Sequence, residues 1–207
     1  MRRHLAQLSL GLLTLALVAA RAAAQDADVW SRLAAQEQAS GRFLQELYSE
    51  EGELLERSSG RYAVLRPGYF RWEIDYPDRQ QIIVAGGTLW HYDLDLATAT
   101  QRLIGEDEQF TALDLLARDS DELAARFSVE ASGDESYRLV PLFPQAGFRS
   151  AELTWEEGAL VAMDVVDRSG QALHIELSPD AQAQPLSPGD FDFDPPEGVD
   201  VHRALDP

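Results

Sequence analysis

The sequence predicts a mainly β (α+β) fold: an antiparallel sheet of ten or eleven strands with helical pieces at its start and middle. Two observations carry this. Apolar and polar residues alternate with period 2 along most of the chain, most clearly in Phe70-Arg71-Trp72-Glu73-Ile74-Asp75-Tyr76, as in a strand with one buried face. Turns built on Gly and Pro interrupt these runs at the spacing of roughly 8 to 12 residues typical of antiparallel sheet. No internal repeat or linker divides residues 25–207, which are expected to form one domain.

The elements follow in order. Asp26 to Ala39 is expected to be a helix, capped by Asp26 or Asp28 and striped by Val29, Trp30, Leu33 and Ala34, with Gly41 ending it. Phe43 to Tyr48 then alternates as a first strand, and Gly60 to Arg66 as a second after the Glu51-Gly52-Glu53 turn. Arg66-Pro67-Gly68 turns the chain into the Phe70–Tyr76 strand. Gln81–Ala85 and Thr88–Tyr92 form a hairpin about Gly86-Gly87, and Thr98–Ile104 adds a strand. Thr111-Ala112-Leu113-Asp114 has the capping-box pattern ahead of Leu115, Leu116 and Ala117, and Asp119–Arg126 continues as a second helical turn. Strands resume at Phe127–Ala131, Tyr137–Leu142, Ala151–Trp155, Ala159–Val166 and Gln171–Leu177. A loop over Ala181–Gly189 precedes a last strand, Phe191–Asp194, ended by Pro195-Pro196. A sheet of this size curls or closes.

Residues 1–24 have the pattern of a cleaved export signal. Arg2 and Arg3 precede an apolar run from Leu8 to Ala20, and Ala22-Ala23-Ala24 supplies small residues for cleavage before Gln25. The run is shorter than the ~20 residues of a membrane span.

Composition excludes several classes of function. The 207 residues contain no Cys, so a disulfide framework, a thiolate metal site, a cysteine nucleophile and a lipid-modified N-terminal Cys are all ruled out. Lys and Asn are also absent, and 17 Arg face 36 Asp and Glu for a net charge of −19. Removing residues 1–24 leaves 14 Arg against the same acids, a net charge of −22. Such a surface is unsuited to nucleic acid or to anionic headgroups.

Catalytic constellations are missing too. His91, His174 and His202 lack metal-ligand spacing, and there is no nucleophile elbow, phosphate loop or metalloprotease helix. Asp190, Asp192 and Asp194 resemble the start of a calcium loop, but Pro195 stands where its Gly belongs. We therefore expect no enzyme activity, no cofactor and no metal. An apolar container remains: a curled sheet whose inner face lacks reactive groups suits an apolar ligand.

One motif sharpens this. Arg66-Pro67-Gly68-Tyr69-Phe70-Arg71-Trp72 resembles the R-P-x-x-F-x-W signature of the LolA family of periplasmic outer-membrane lipoprotein carriers. Phe43-Leu44-Gln45 is similar to the family's F-x-Q. Asp78 to Tyr92, with Ile82, Val84, Gly87, Leu89, Trp90 and Tyr92, is similar to its central hairpin. Thr111–Leu116 resembles its T-P-x-x-L-L helix start with Ala112 in place of Pro, and Phe191–Val201 resembles its closing F-x-F-x-P-P-x-G-V-x-V. The chain departs from the family at Leu94, where Pro is frequent, and at Thr98, where Gln is common.

The resemblance implies an open, incomplete antiparallel β-barrel of about eleven strands, with a helical lid enclosing an apolar cavity. It implies a monomer in the periplasm that takes acylated lipoproteins from an inner-membrane ABC-type release complex and delivers them to an outer-membrane receptor. It makes Arg66 the lid latch, with Leu116 and Ala117 beside it, and makes Phe70 a position needed for transfer. Trp72, Ile74, Tyr76 and Trp90 are candidates for the cavity or core. Taken alone, Arg66 could also form an ordinary surface ion pair. The same pattern fits a barrel carrying another lipid or glycolipid intermediate, or an envelope lipid sensor. The outer-membrane receptor of this system is itself a lipoprotein, and the absence of Cys separates this chain from it.

Overall fold

The computed structural model describes residues 28–105 and 110–204. The proposed signal segment and Asp26 lie outside the described residues. Helix α1 covers 28–35. There follow β1 (Gln38–Tyr48), β2 (Leu54–Leu65), β3 (Tyr69–Tyr76), β4 (Gln80–Ala85), β5 (Thr88–Asp93) and β6 (Thr98–Leu103). Two short helices, α2 (Asp114–Ala117) and α3 (Ser120–Arg126), interrupt the strands. The second half contains β7 (Phe127–Ala131), β8 (Ser136–Pro141), β9 (Phe148–Glu156), β10 (Ala159–Asp167), β11 (Ala172–Pro179) and β12 (Asp200–Ala204).

All twelve strands join one sheet in the order β12-β6-β5-β4-β3-β2-β1-β11-β10-β9-β8-β7. The two end strands do not pair with each other, so the sheet stays open. This order explains where the helices lie. β6 and β7 stand on opposite wings of the sheet, so the connection between them must cross its face, carrying α2 and α3. That face holds the core: Phe43, Tyr62, Val64, Phe70 and Trp72 from the first wing meet Leu139, Leu153, Trp155, Met163 and Ile175 from the second, under Val29, Leu33, Leu115 and Leu116.

Two glycines allow close strand approach. A Cβ on Gly60 would lie 1.8 Å from the Glu73 carbonyl oxygen and 3.0 Å from Phe43 Cε1, and one on Gly41 would lie 2.2 Å from the Ser178 carbonyl oxygen. Gly41 therefore sits within β1 and does not terminate a helix. The helix expected over Asp26–Ala39 is correspondingly shorter, and Gln38–Gly41 pairs with Tyr62–Leu65 of β2.

The expected last strand at Phe191–Asp194 is also corrected. Pro188–Phe191 forms a 3₁₀ turn with Pro in its first turn, where Ser187 and Asp190 cap each other. Pro195 and Pro196 have no N–H to give a ladder. The true final strand, β12, lies beyond Gly198 and pairs parallel with β6. The alternation of Phe191 and Phe193 serves another purpose: this stretch straps the outer face. Phe191 is buried against Tyr69, and Phe193 packs edge-on to Trp90, with ring centroids 5.3 Å apart. Arg71 donates from Nη2 to the backbone carbonyls of Asp190 and Asp192, tying the strap to β3.

Candidate functional site

The site lies where the β2–β3 turn meets α2. Tyr62, Val64 and Arg66 follow one another at period 2 and share the helix-covered side, as strand geometry requires. Arg66 Nη1 donates to the Arg118 carbonyl at 2.8 Å, and Nη2 to the Leu115 carbonyl at 3.2 Å. The Gly68 amide donates to the Ala117 carbonyl at 3.0 Å. The last turn of a helix leaves carbonyls without intrahelical donors, and here the β2–β3 turn supplies donors to three of them. Burial pulls the Arg66 guanidinium down to about 10, opposed in part by the Asp119 carboxylate. Arg66 Nε is buried without a partner.

The helices themselves are modest. α2 is one turn with Leu115, Leu116 and Ala117 buried. Thr111 and Asp114 bracket its start: the Thr111 amide and hydroxyl both donate to Asp114 Oδ2 at 2.7 Å. Asp119 caps α3 by accepting from the Asp121 and Glu122 amides. Arg118 joins the two helices through Asp114 at 3.0 Å and Glu122 at 2.9 Å, with its guanidinium over the Phe110 ring. So short a pair has little stability of its own; its place depends on buried leucines and the Arg66 contacts.

Two cavities flank this seam. The first, about 270 Å³, is lined by Tyr62, Val64, Arg66, Leu116, Leu160 and Leu177, among others. The second, about 290 Å³, lies on the far side of the β2–β3 turn against Gly68, Phe70, Ile82, Val84, Leu113 and Ala117. Between them stands an aromatic stack. Trp72 lies 3.7 Å from Phe43 and 5.8 Å from Phe70, centroid to centroid, and both contacts are near parallel. The shared wall is thus the β2–β3 turn, the C-terminal end of α2 and this stack.

The structure brings Arg66, Leu116, Ala117, Phe70 and Trp72 together at that wall. Ile74 lies farther along β3, partly buried against the core. Tyr76, at the far end of β3, is 61% exposed. Trp90 needs correction as a cavity candidate: it pairs with Ile83 and Gln101 on the opposite face of the sheet, where Phe193 covers it. One-residue parity decides this, since Leu89 and His91 are the members of β5 facing the helices. Leu160 and Leu177 were not anticipated, because they come from strands more than ninety residues beyond Arg66. Tyr62 and Val64 were legible in principle from the alternation that ends at Arg66. Among the described residues no group of His, Asp and Glu could hold a metal ion, and no helix is long and apolar enough to cross a membrane.

With this geometry in hand, the relatives can be placed. The family described as Outer membrane lipoprotein carrier protein LolA matches residues 34–194. An outer-membrane lipoprotein carrier protein of Methylococcus capsulatus is 35% identical over 163 residues, covering 77% of this chain and 78% of that protein. One from Alkalilimnicola ehrlichii is 33% identical, covering 79% and 77%. The solved structure of an uncharacterized conserved protein from Thermus thermophilus shares the fold at TM-score 0.56 and 13% identity, covering 85% of this chain and 97% of that one. Both the long family match and the level of identity to these carriers lead to one conclusion: the chain belongs to the LolA family of outer-membrane lipoprotein carrier proteins.

Proposed function

We propose that this protein is a periplasmic carrier that shields the acyl chains of lipoproteins between the inner and outer membranes, without enzymatic activity. One observation carries the reading. Two apolar cavities are separated by a seam that Arg66 and Gly68 hold through backbone carbonyls. Each cavity lies near the small end of the ~300–1,000 Å³ range of ligand pockets. Moving α2 away from the β2–β3 turn would join them. A closed, empty form and an open, loaded form then share one frame and differ in a few hydrogen bonds.

The energetics support this assignment. Each buried CH₂ is worth about 0.8 kcal/mol, so acyl chains need an apolar host to cross water. Release must cost little, and a one-turn helix docked by a handful of contacts moves easily. In this reading residues 1–24 are the export signal, and residues 25–207 form one carrier domain. Loading comes from an inner-membrane ABC-type release complex and unloading goes to an outer-membrane receptor. The acidic surface would keep the carrier from lodging in anionic bilayers. Arg66, Leu116 and Ala117 act as the latch, while Phe70, Trp72 and Ile74 serve the cavity side.

The test is native mass spectrometry of protein isolated gently from the periplasm. Acylated protein or acylated peptide on the carrier is the expected result. Protein that is empty after extraction, and that stays empty when mixed with acylated lipoprotein in mild detergent, refutes the assignment.

A further inference from the structure

The first cavity has one feature that shielding alone does not require. Tyr62 is 4% exposed and lines this cavity, and among the described residues its hydroxyl has no hydrogen-bond partner. Its ring packs beside Trp72, with centroids 6.2 Å apart. Phenylalanine would make the same ring contacts. The hydroxyl oxygen is not sealed inside the protein but stays accessible where Tyr62 lines the cavity, and burial of the side chain around it raises the phenol to about 12. Just past the end of β2, Arg66 also lines the cavity, with its Nε–H enclosed in the protein and without a partner.

These groups determine what kind of ligand fits. Val64, Leu116, Leu160 and Leu177 supply an apolar wall, so the bound group is mainly hydrocarbon. The Tyr62 phenol is the group open to a ligand, and beside the Arg66 cation it is placed to donate, so the polar atom opposite it is an acceptor. Asp180 lines the cavity and opposes the Arg66 cation there, and the chain carries a net charge of −19; together the acids disfavour an anionic acceptor such as a free fatty-acid carboxylate. A neutral carbonyl remains.

We propose that Tyr62 is a specificity-determining residue whose hydroxyl donates to an ester carbonyl at the head of a bound acyl chain. This inference rests on the carrier reading and adds to it: the cavity distinguishes acyl esters from hydrocarbon of equal length. It also fixes the depth at which a chain sits, with its ester level with the last third of β2 and its tail running toward the apolar wall.

The experiment compares two probes of equal chain length, a 1,2-diacylglycerol and the 1,2-dialkylglycerol ether that lacks both carbonyls. Their affinities are measured on the full chain and on Tyr62→Phe. The unmodified protein should favour the ester. Tyr62→Phe should lower the ester-to-ether affinity ratio by about 3- to 10-fold, the usual worth of one hydrogen bond, while leaving ether affinity unchanged, which also shows that the variant is folded. An equal ratio in both proteins overturns the assignment of Tyr62 and leaves the carrier reading standing. Failure of the unmodified protein to bind either lipid overturns both.

Discussion

Replacing Arg66 with Leu tests the proposed latch, because leucine keeps the wall apolar while removing the donors and their charge. The two bonds to the Arg118 and Leu115 carbonyls, at 2.8 and 3.2 Å, are charge-assisted, and such bonds are worth ~1.5–3 kcal/mol each. Burial works against them. A guanidinium drawn down to about 10 has lost on the order of 3 kcal/mol that its surroundings do not return. The difference leaves a net latch of about 0–3 kcal/mol. That range suits a lid that must both close and open, since swinging a population from one form to the other takes only about 5.5 kcal/mol. Removing the latch withdraws the energy gained when the empty lid shuts, so Arg66→Leu should fold normally yet hold its cargo longer. A fluorescent diacyl lipid chased into acceptor vesicles should leave the variant about tenfold more slowly, and up to ~100-fold more slowly if the latch is at its upper bound. Hydrogen exchange should speed up at the α2 amides. Release at the unmodified rate, with unchanged exchange at α2, would refute the reasoning.

Three further outcomes follow from particular contacts. Phe70 is 1% exposed, stacks on Trp72 and lines the second cavity. Phe70→Glu buries a carboxylate and should lower stability by about 3 kcal/mol or more while weakening lipid uptake; paired thermal melts and lipid titrations check this, and retained uptake at unmodified affinity contradicts it. Gly60→Ala drives a methyl into the Glu73 carbonyl and toward Phe43, so it should cost about 1–3 kcal/mol; a urea midpoint matching the unmodified protein would disprove the close approach. His174 lies 2.6 Å from Asp164 and 3.5 Å from Glu176. Burial lowers its pKa, but these carboxylates outweigh burial and raise it overall. The folded state therefore binds a proton more tightly than the unfolded chain. The added stability is fully present below the ordinary imidazole range and is lost as pH rises through the folded value. Nuclear magnetic resonance titration should show the raised value, and His174→Gln should flatten stability across that window; an unshifted titration counts against the cluster.

The strands that could be read most directly were those with one buried face. β3 and the β4–β5 hairpin lie where alternation and the Gly86-Gly87 turn put them, because period 2 and turn chemistry are local properties. The edges of that reading were set by contacts distant in sequence. Gly41 looked like a helix stop and is a strand residue because Ser178, on β11, presses against it. The Phe191–Asp194 alternation was real but belongs to a strap, because Pro188 starts a 3₁₀ turn and the face it covers belongs to β3–β5.

The site divides along the same line. The residues Arg66-Pro67-Gly68, Phe70 and Trp72 and the Leu-rich turn at 115–117 are written in the sequence, as is the alternation that turns Arg66 inward. No local pattern names the Leu115 and Arg118 carbonyls as partners, since every residue has a carbonyl and only placement selects two of them. Nor does any pattern show that α2 crosses this face, that Leu160 and Leu177 complete the first cavity, or that Tyr62 faces it without a partner. Those are consequences of strand order. With β6 and β7 on opposite wings of an open sheet, the chain between them must pass over the core, and that passage makes the lid.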